Sequence, residues 1–114
     1  MTGYDAEGDR EYPAVFVLQG YTGELRMWRN RLPFRPTFLE LLARDAPECI
    51  VVLVDSWTSV GGSQFVDSNG SGRYHTYLCD EVVPFVDERY PTAPDRDHRG
   101  ITGKSSGGYG AMVA

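Results

Sequence analysis

Arg99-Gly100-Ile101-Thr102-Gly103-Lys104-Ser105-Ser106-Gly107-Gly108-Tyr109-Gly110 carries more structural information than any other stretch of this 114-residue chain. A short apolar run over residues 99–102 meets Gly103-Lys104-Ser105-Ser106-Gly107 and opens onto Gly108-Tyr109-Gly110-Ala111-Met112. This is G-x-S-x-G between a predicted strand and a predicted helix. A serine at such a sharp turn takes a strained backbone, so small residues must flank it two positions either way. The turn lifts the hydroxyl out of the sheet edge and aims the first helical amides at an incoming carbonyl oxygen. Ser105 is therefore the candidate nucleophile, and Ser106 opens the helix behind it. Two other readings compete: a Gly/Ser turn without chemistry, and a phosphate-binding loop ending in Gly103-Lys104-Ser105. The phosphate loop needs glycine at position 98, which holds His98, and needs loop where the strand lies.

Working back along the chain, residues 73–90 predict the longest helix, with Tyr74, Tyr77, Leu78, Val82, Phe85, Val86 and Tyr90 at three- and four-residue steps. Pro84 lies inside it, where a proline kinks a helix and removes one hydrogen bond. Residues 56–72 have no periodicity, and Gly61, Gly62, Gly70 and Gly72 punctuate them. An unstructured loop this long is more often functional than not. Ile50-Val51-Val52-Leu53-Val54 and Ala14-Val15-Phe16-Val17-Leu18 are unalternating apolar runs, which predict strands covered on both faces as in a parallel sheet. Between them, Pro36 is placed as a first helical residue, with Phe38, Leu39, Leu41, Leu42 and Ala46 at helical spacing and Pro47 as the stop. Trp28 and Leu32 are expected to anchor the irregular segment before that helix, and residues 1–13 to form an entry loop.

Alternating strands and helices make this a single α/β domain over residues 1–114, with a mostly parallel, doubly wound sheet. Ligands of such sheets bind beyond the carboxyl ends of the strands, where the loops after Leu18, after Asp55 and at Ser105 all emerge. A formal charge of -5 argues against nucleic acid and anionic membrane as partners. No apolar run approaches the ~20 residues of a membrane span, and no basic-then-apolar leader opens the chain. The default location is cytoplasmic. Cys49 and Cys79 lack metal spacing and read as buried free thiols; no metal or organic cofactor is indicated.

A serine nucleophile needs a base. His75 falls in the long helix as a surface or partly packed imidazole. His98 sits at the amino end of the third strand, about 15 Å from Ser105 at ~3.3 Å per residue. Neither serves. Asp55 ends a strand at the useful edge, where a turn or cap role is its first reading.

Tyr12-Pro13-Ala14-Val15-Phe16-Val17-Leu18-Gln19-Gly20-Tyr21-Thr22-Gly23 resembles the strand and oxyanion loop of the putative esterase family of α/β-hydrolases, which includes S-formylglutathione hydrolases, enterochelin-type esterases and mycolyltransferases. Gly61-Gly62-Ser63-Gln64-Phe65, Gly72-Arg73-Tyr74 and Glu81-Val82-Val83-Pro84-Phe85-Val86-Asp87 are similar to the segments those proteins carry before the elbow. The resemblance keeps this order through residues 99–110. It implies an α/β-hydrolase fold with helices on both faces, the first strand between the other two, and Ser105 as nucleophile. It also implies an oxyanion hole of the Tyr21 and Ser106 amides, with Gly20, Gly62, Ser63 and Gln64 against the substrate. Gln19 stands where a histidine is common. In that family the acid and histidine follow the elbow, so the resemblance implies a central fragment of a longer esterase or thioesterase on small-molecule substrates, truncated after the elbow and nearly inactive by itself. The rival readings are a non-catalytic binding module of the same fold and an acyltransferase.

Overall fold

A computed structural model describes residues 5, 8–29 and 33–114. Three five-residue strands form the sheet: β1 (Ala14–Leu18), β2 (Ile50–Val54) and β3 (Arg99–Gly103). All pairings are parallel, and the order is β2-β1-β3. Ala14 stands opposite both Ile50 and Arg99, and Leu18 opposite both Val54 and Gly103, so the strands finish level. The loops after all three leave one edge. The chain steps from β1 to one side and then crosses back to the other, and right-handed crossovers send the two connecting helices to opposite faces.

On one face Ala14, Phe16, Leu18 and Val54 meet Phe65, Leu78 and Val86 in a single buried cluster, with Val82, Val83 and Ala111 packed around it. Its helical partners are α2 (residues 74–89) and α3 (Ser106–Val113). On the other face lies α1 (Phe38–Asp45), whose Leu42 lines one cavity with Ala46, Cys49 and the sheet residue Val51. Burying one such apolar side chain stabilises by roughly 1.5–3 kcal/mol, which is why the alternate residues of β1 carry the fold.

β1 is covered on both faces, as its unalternating run predicts: only Val15 is less than fully buried. β2 is not. Its residues are half-buried up to Val54, because it is an outer strand of the three, and a groove of about 680 Å³ runs along it past Tyr77, Val82, Phe85 and Tyr90. An apolar run thus records strand character but not the position of the strand in the sheet.

Helix α1 begins at Phe38, two positions later than Pro36 suggests. Thr37 is the cap: its hydroxyl accepts from the Glu40 amide at 3.2 Å, and the Glu40 carboxylate accepts from the Thr37 amide at 2.8 Å. That reciprocal box satisfies two amides that a proline start would leave open, so it sets the boundary. Thr37→Ala is expected to lower the unfolding free energy by about 1 kcal/mol, measured by urea denaturation. Trp28 packs on Phe38 with ring centroids 4.8 Å apart, so it anchors to this helix; Leu32 lies outside the described residues.

Residues 56–72 are not structureless. Trp57–Thr58 pairs antiparallel with Gly61–Gly62, and Asp67–Ser68 with Gly72–Arg73. Asp67 also accepts from the amide and hydroxyl of Thr76 at 3.0 and 2.7 Å, fixing the start of α2 and holding the Asp67 carboxyl below its ordinary range. The disturbance expected at Pro84 takes the form of a π turn over Tyr77–Val82, in which the Val83 amide bonds Leu78 five residues back. Widening the turn ahead of a residue that lacks an N–H and crowds the preceding carbonyls lets the helix continue to Arg89. The entry segment is also more than a loop: Tyr12 is buried, its amide donates to Pro91 O at 2.8 Å, and its carbonyl accepts from the Ala93 amide at 3.0 Å. Cys49 is buried but Cys79 only half-buried; both are free thiols, pushed up by burial, Cys79 also by Asp80 and Asp67.

Candidate functional site

Gly103 ends β3 and Ser106 begins α3, leaving two residues to reverse the chain. The reversal is possible only because the flanking positions lack side chains. A Cβ on Gly103 would lie 2.3 Å from the carbonyl carbon of Gly107, and one on Gly107 would lie 2.2 Å from the carbonyl oxygen of Leu18. The Lys104 amide bonds that same Leu18 oxygen at 3.2 Å, and the Gly107 amide bonds Lys104 O at 2.9 Å, so the turn is sewn to the end of β1. Ser105 is left at φ 55°, ψ -118°. A non-glycine residue there stores on the order of 1–3 kcal/mol of strain. Its side chain is exposed and its hydroxyl has no hydrogen-bond partner among the described residues.

The loop after β1 lies directly against this turn. A Cβ on Gly20 would sit 3.5 Å from Ser105 Cβ and 3.4 Å from Lys104 O. Tyr21 follows, and among the described residues neither its amide nor that of Ser106 donates to a backbone acceptor. The two amides suggested by sequence as an oxyanion hole therefore belong to two segments that pack together, the loop at Gly20 and the turn at Ser105.

Gly62, Ser63 and Gln64 occupy the next loop. Gly62 is buried, and its amide donates to Tyr21 O at 2.7 Å. Ser63 is also buried, and its hydroxyl accepts from the Phe65 amide at 3.1 Å, closing a turn in which Gln64 and Phe65 both have φ 56°. Gln64 is exposed, whereas Phe65 is buried where a Cβ on Gly110 would come within 2.7 Å. The loop is thereby pinned to α3, behind the serine.

Gln19 and Asp55 form a connection that sequence reading considers only one residue at a time. Gln19 Nε2 donates to Asp55 Oδ1 at 3.3 Å, and the same oxygen accepts from the Trp57 amide at 3.0 Å. Asp55 is a turn residue, as its first reading has it, and it also ties the ends of β1 and β2 together. Gln19 is buried, and its Oε1 has no partner among the described residues, a cost of about 1–3 kcal/mol. No sequence signal marks this link; residues 19 and 55 meet only because the two strands end level.

Neither histidine is hydrogen-bonded to Ser105. His98 lies in the turn Arg96–His98 at the opposite end of β3, where its Nδ1 pairs with Asp95 at 2.8 Å. That partnership holds the Asp95 carboxyl below its ordinary range. His75 is half-buried at the start of α2, with Nε2 3.9 Å from the Cys79 sulfur. Among the described residues no three His, Cys, Asp or Glu side chains gather as a metal site, and no helix is long and apolar enough to cross a membrane.

Comparison with known proteins completes the description. The sequence pattern of a family described as "Putative esterase" matches residues 2–114. Among solved structures, a ferulic acid esterase is similar with a TM-score of 0.74 and 27% sequence identity. The match covers 91% of this chain and 41% of that one, so the chain spans less than half the length of that enzyme.

Proposed function

Because the chain belongs to the putative esterase family, we propose that it supplies the nucleophile and the oxyanion donors of a serine hydrolase acting on small carboxylic esters or thioesters. The observation that carries this reading is the backbone of Ser105: exposed, at φ 55°, between two glycines and against Gly20. Strain of that kind persists only where the surroundings enforce it, and here it presents an unengaged hydroxyl at the level edge of the sheet.

In the proposed reaction Ser105 Oγ attacks the acyl carbon while a base removes its proton. Negative charge gathers on the former carbonyl oxygen, where the Tyr21 and Ser106 amides receive it, the latter reinforced by the positive end of α3. Collapse expels the alcohol or thiol, which takes the proton back from the base, and leaves an acyl ester on Ser105. Water, deprotonated by the same base, then attacks the acyl carbon and releases the acid with Ser105 restored. His98 lies at the opposite end of β3, and His75 Nε2 meets the Cys79 sulfur rather than Ser105. The base and the acid that orients it are accordingly proposed to come from sequence outside these 114 residues, which is consistent with a match covering 41% of the ferulic acid esterase. Gly20 is proposed to leave room for the acyl group, Gly62 to let the Tyr21 main chain approach and so shape the site from behind, Ser63 to hold the turn, and exposed Gln64 to face the substrate.

Covalent labelling tests the assignment. A fluorophosphonate ester added to the enzyme that carries this chain should place a single phosphonyl group on the peptide containing Ser105. Modification of a different serine, with Ser105 unlabelled, would overturn it.

A further inference from the structure

The proposed oxyanion donor Tyr21 is a loop residue, yet it is held at both ends. Its carbonyl accepts from the Gly62 amide at 2.7 Å, and its phenol donates to Val60 O at 2.8 Å. Gly61, at φ 108°, lies so close under the ring that an added Cβ would be 3.1 Å from Cε1 and Cζ. A Cβ on Gly62 would be 2.7 Å from the Tyr21 oxygen. All three partners belong to the hairpin in which Trp57–Thr58 pairs with Gly61–Gly62. The base of that hairpin is fixed in turn by Asp55 Oδ1, which takes the Trp57 amide at 3.0 Å and Gln19 Nε2 at 3.3 Å. Gln19 is two residues ahead of Tyr21, so the circuit closes on the segment where it began.

Burial does not explain this arrangement. The Tyr21 side chain is 43% exposed, and Trp57 at 52% is more open still. What the circuit does fix is the ring and the carbonyl of Tyr21, and so the placement of that residue. The peptide plane that carries its amide is tied separately by Gly20 O, which accepts from the Gly23 amide at 2.9 Å. Oxyanion stabilisation depends on donors already aimed before charge develops, and a supporting shell holds them there.

We infer that the Trp57–Gly62 hairpin is a brace that aims the Tyr21 amide, with the Tyr21 phenol and the Asp55 carboxylate as its positioning residues. The inference rests on the serine-hydrolase reading above. Neither side chain touches the reacting atoms; both act through the backbone of residue 21.

Tyr21→Phe in the enzyme that carries this chain tests the brace, because it removes one hydroxyl from an exposed ring and leaves the backbone donor in place. The expected result is a kcat lower by roughly ten-fold, short of the ~10²-fold that a full ångström of misplacement costs. KM for the ester should stay within about two-fold, since ground-state binding does not use the oxyanion donor. Affinity for a boronic acid, whose tetrahedral adduct carries the anionic oxygen, should fall by about the same factor as kcat. Asp55→Asn, which keeps an Oδ1 acceptor, should behave as wild type, whereas Asp55→Ala should share the Tyr21→Phe phenotype. Should Asp55→Ala fail to fold, the Phe and Asn variants still decide. Wild-type kcat and boronate affinity in Tyr21→Phe, with Ser105→Ala inactive, would remove the brace and leave the hydrolase reading standing. Turnover retained in Ser105→Ala would remove both.

Discussion

Ser105→Ala, made in the enzyme that carries this chain, is expected to lower kcat on the order of 10⁶-fold. KM should change little, because among the described residues the hydroxyl holds no group in place, and its role is in bond formation rather than in ground-state binding. Alanine at φ 55° keeps the strain that serine bears, so the melting temperature should match wild type. Ser105→Gly separates the chemical role from the structural one. Glycine adopts positive φ freely, so this variant should be as inactive as alanine but more stable by about 1 kcal/mol, the low end of the strain it relieves. Urea denaturation of the two variants side by side measures the difference. A glycine variant no more stable than alanine would mean that the turn is not strained. Turnover near wild type in either would remove Ser105 from the reaction.

The second large effect concerns Gly107. A methyl group there would stand 2.2 Å from Leu18 O, 2.5 Å from Leu18 C and 2.6 Å from Gln19 O. These are backbone atoms of the central strand and its exit, with no flexible side chain to swing aside. Gly107→Ala is therefore expected to cost about 3 kcal/mol, the upper end for overpacking. It should also lower kcat by ~10²-fold, because relief of the clash displaces the segment leading to Tyr21 relative to Ser105. Gly108→Ala, one residue on, is the internal comparison. Its nearest neighbour would be Gly103 O at 3.3 Å, a contact that a few tenths of an ångström relieves. The helical preference of alanine over glycine, up to about 1 kcal/mol, offsets that adjustment. Denaturation midpoints that ranked the two variants equally would contradict the packing described here.

The contrast between Gly107 and Gly108 bears on what the sequence makes legible. G-x-S-x-G names positions 103 and 107 as obligatory, and both approach backbone to within 2.3 Å of where a Cβ would stand. Two of the three strands are equally plain, since Ala14–Leu18 and Ile50–Val54 are apolar without interruption. The central place of β1 comes from family resemblance, because nothing within a strand states its neighbours, and the pairing bears it out. Other features depend on contacts that periodicity does not encode. Two-residue ladders such as Asp67–Ser68 with Gly72–Arg73 are too short to show alternation. The start of α1 turns on a choice between Pro36 and Thr37 that the capping box settles in favour of threonine. The links from Gln19 to Asp55 and from Tyr21 to Val60 join residues 36 and 39 positions apart, and neither leaves a pattern in either segment.

The even finish of the strands at Leu18, Val54 and Gly103 separates inheritance from innovation. The height of the serine above the sheet is set by main-chain ladders, which any sequence compatible with the strands can form. The hairpins between Trp57 and Arg73 join the scaffold at points outside those ladders, among them Asp55, Tyr21, Thr76 and Gly110. Insertions at a hairpin tip such as Asn69–Gly70 can accumulate without tilting the strands, so the surface beside the Ser105 turn can diversify while the turn itself stays where it was.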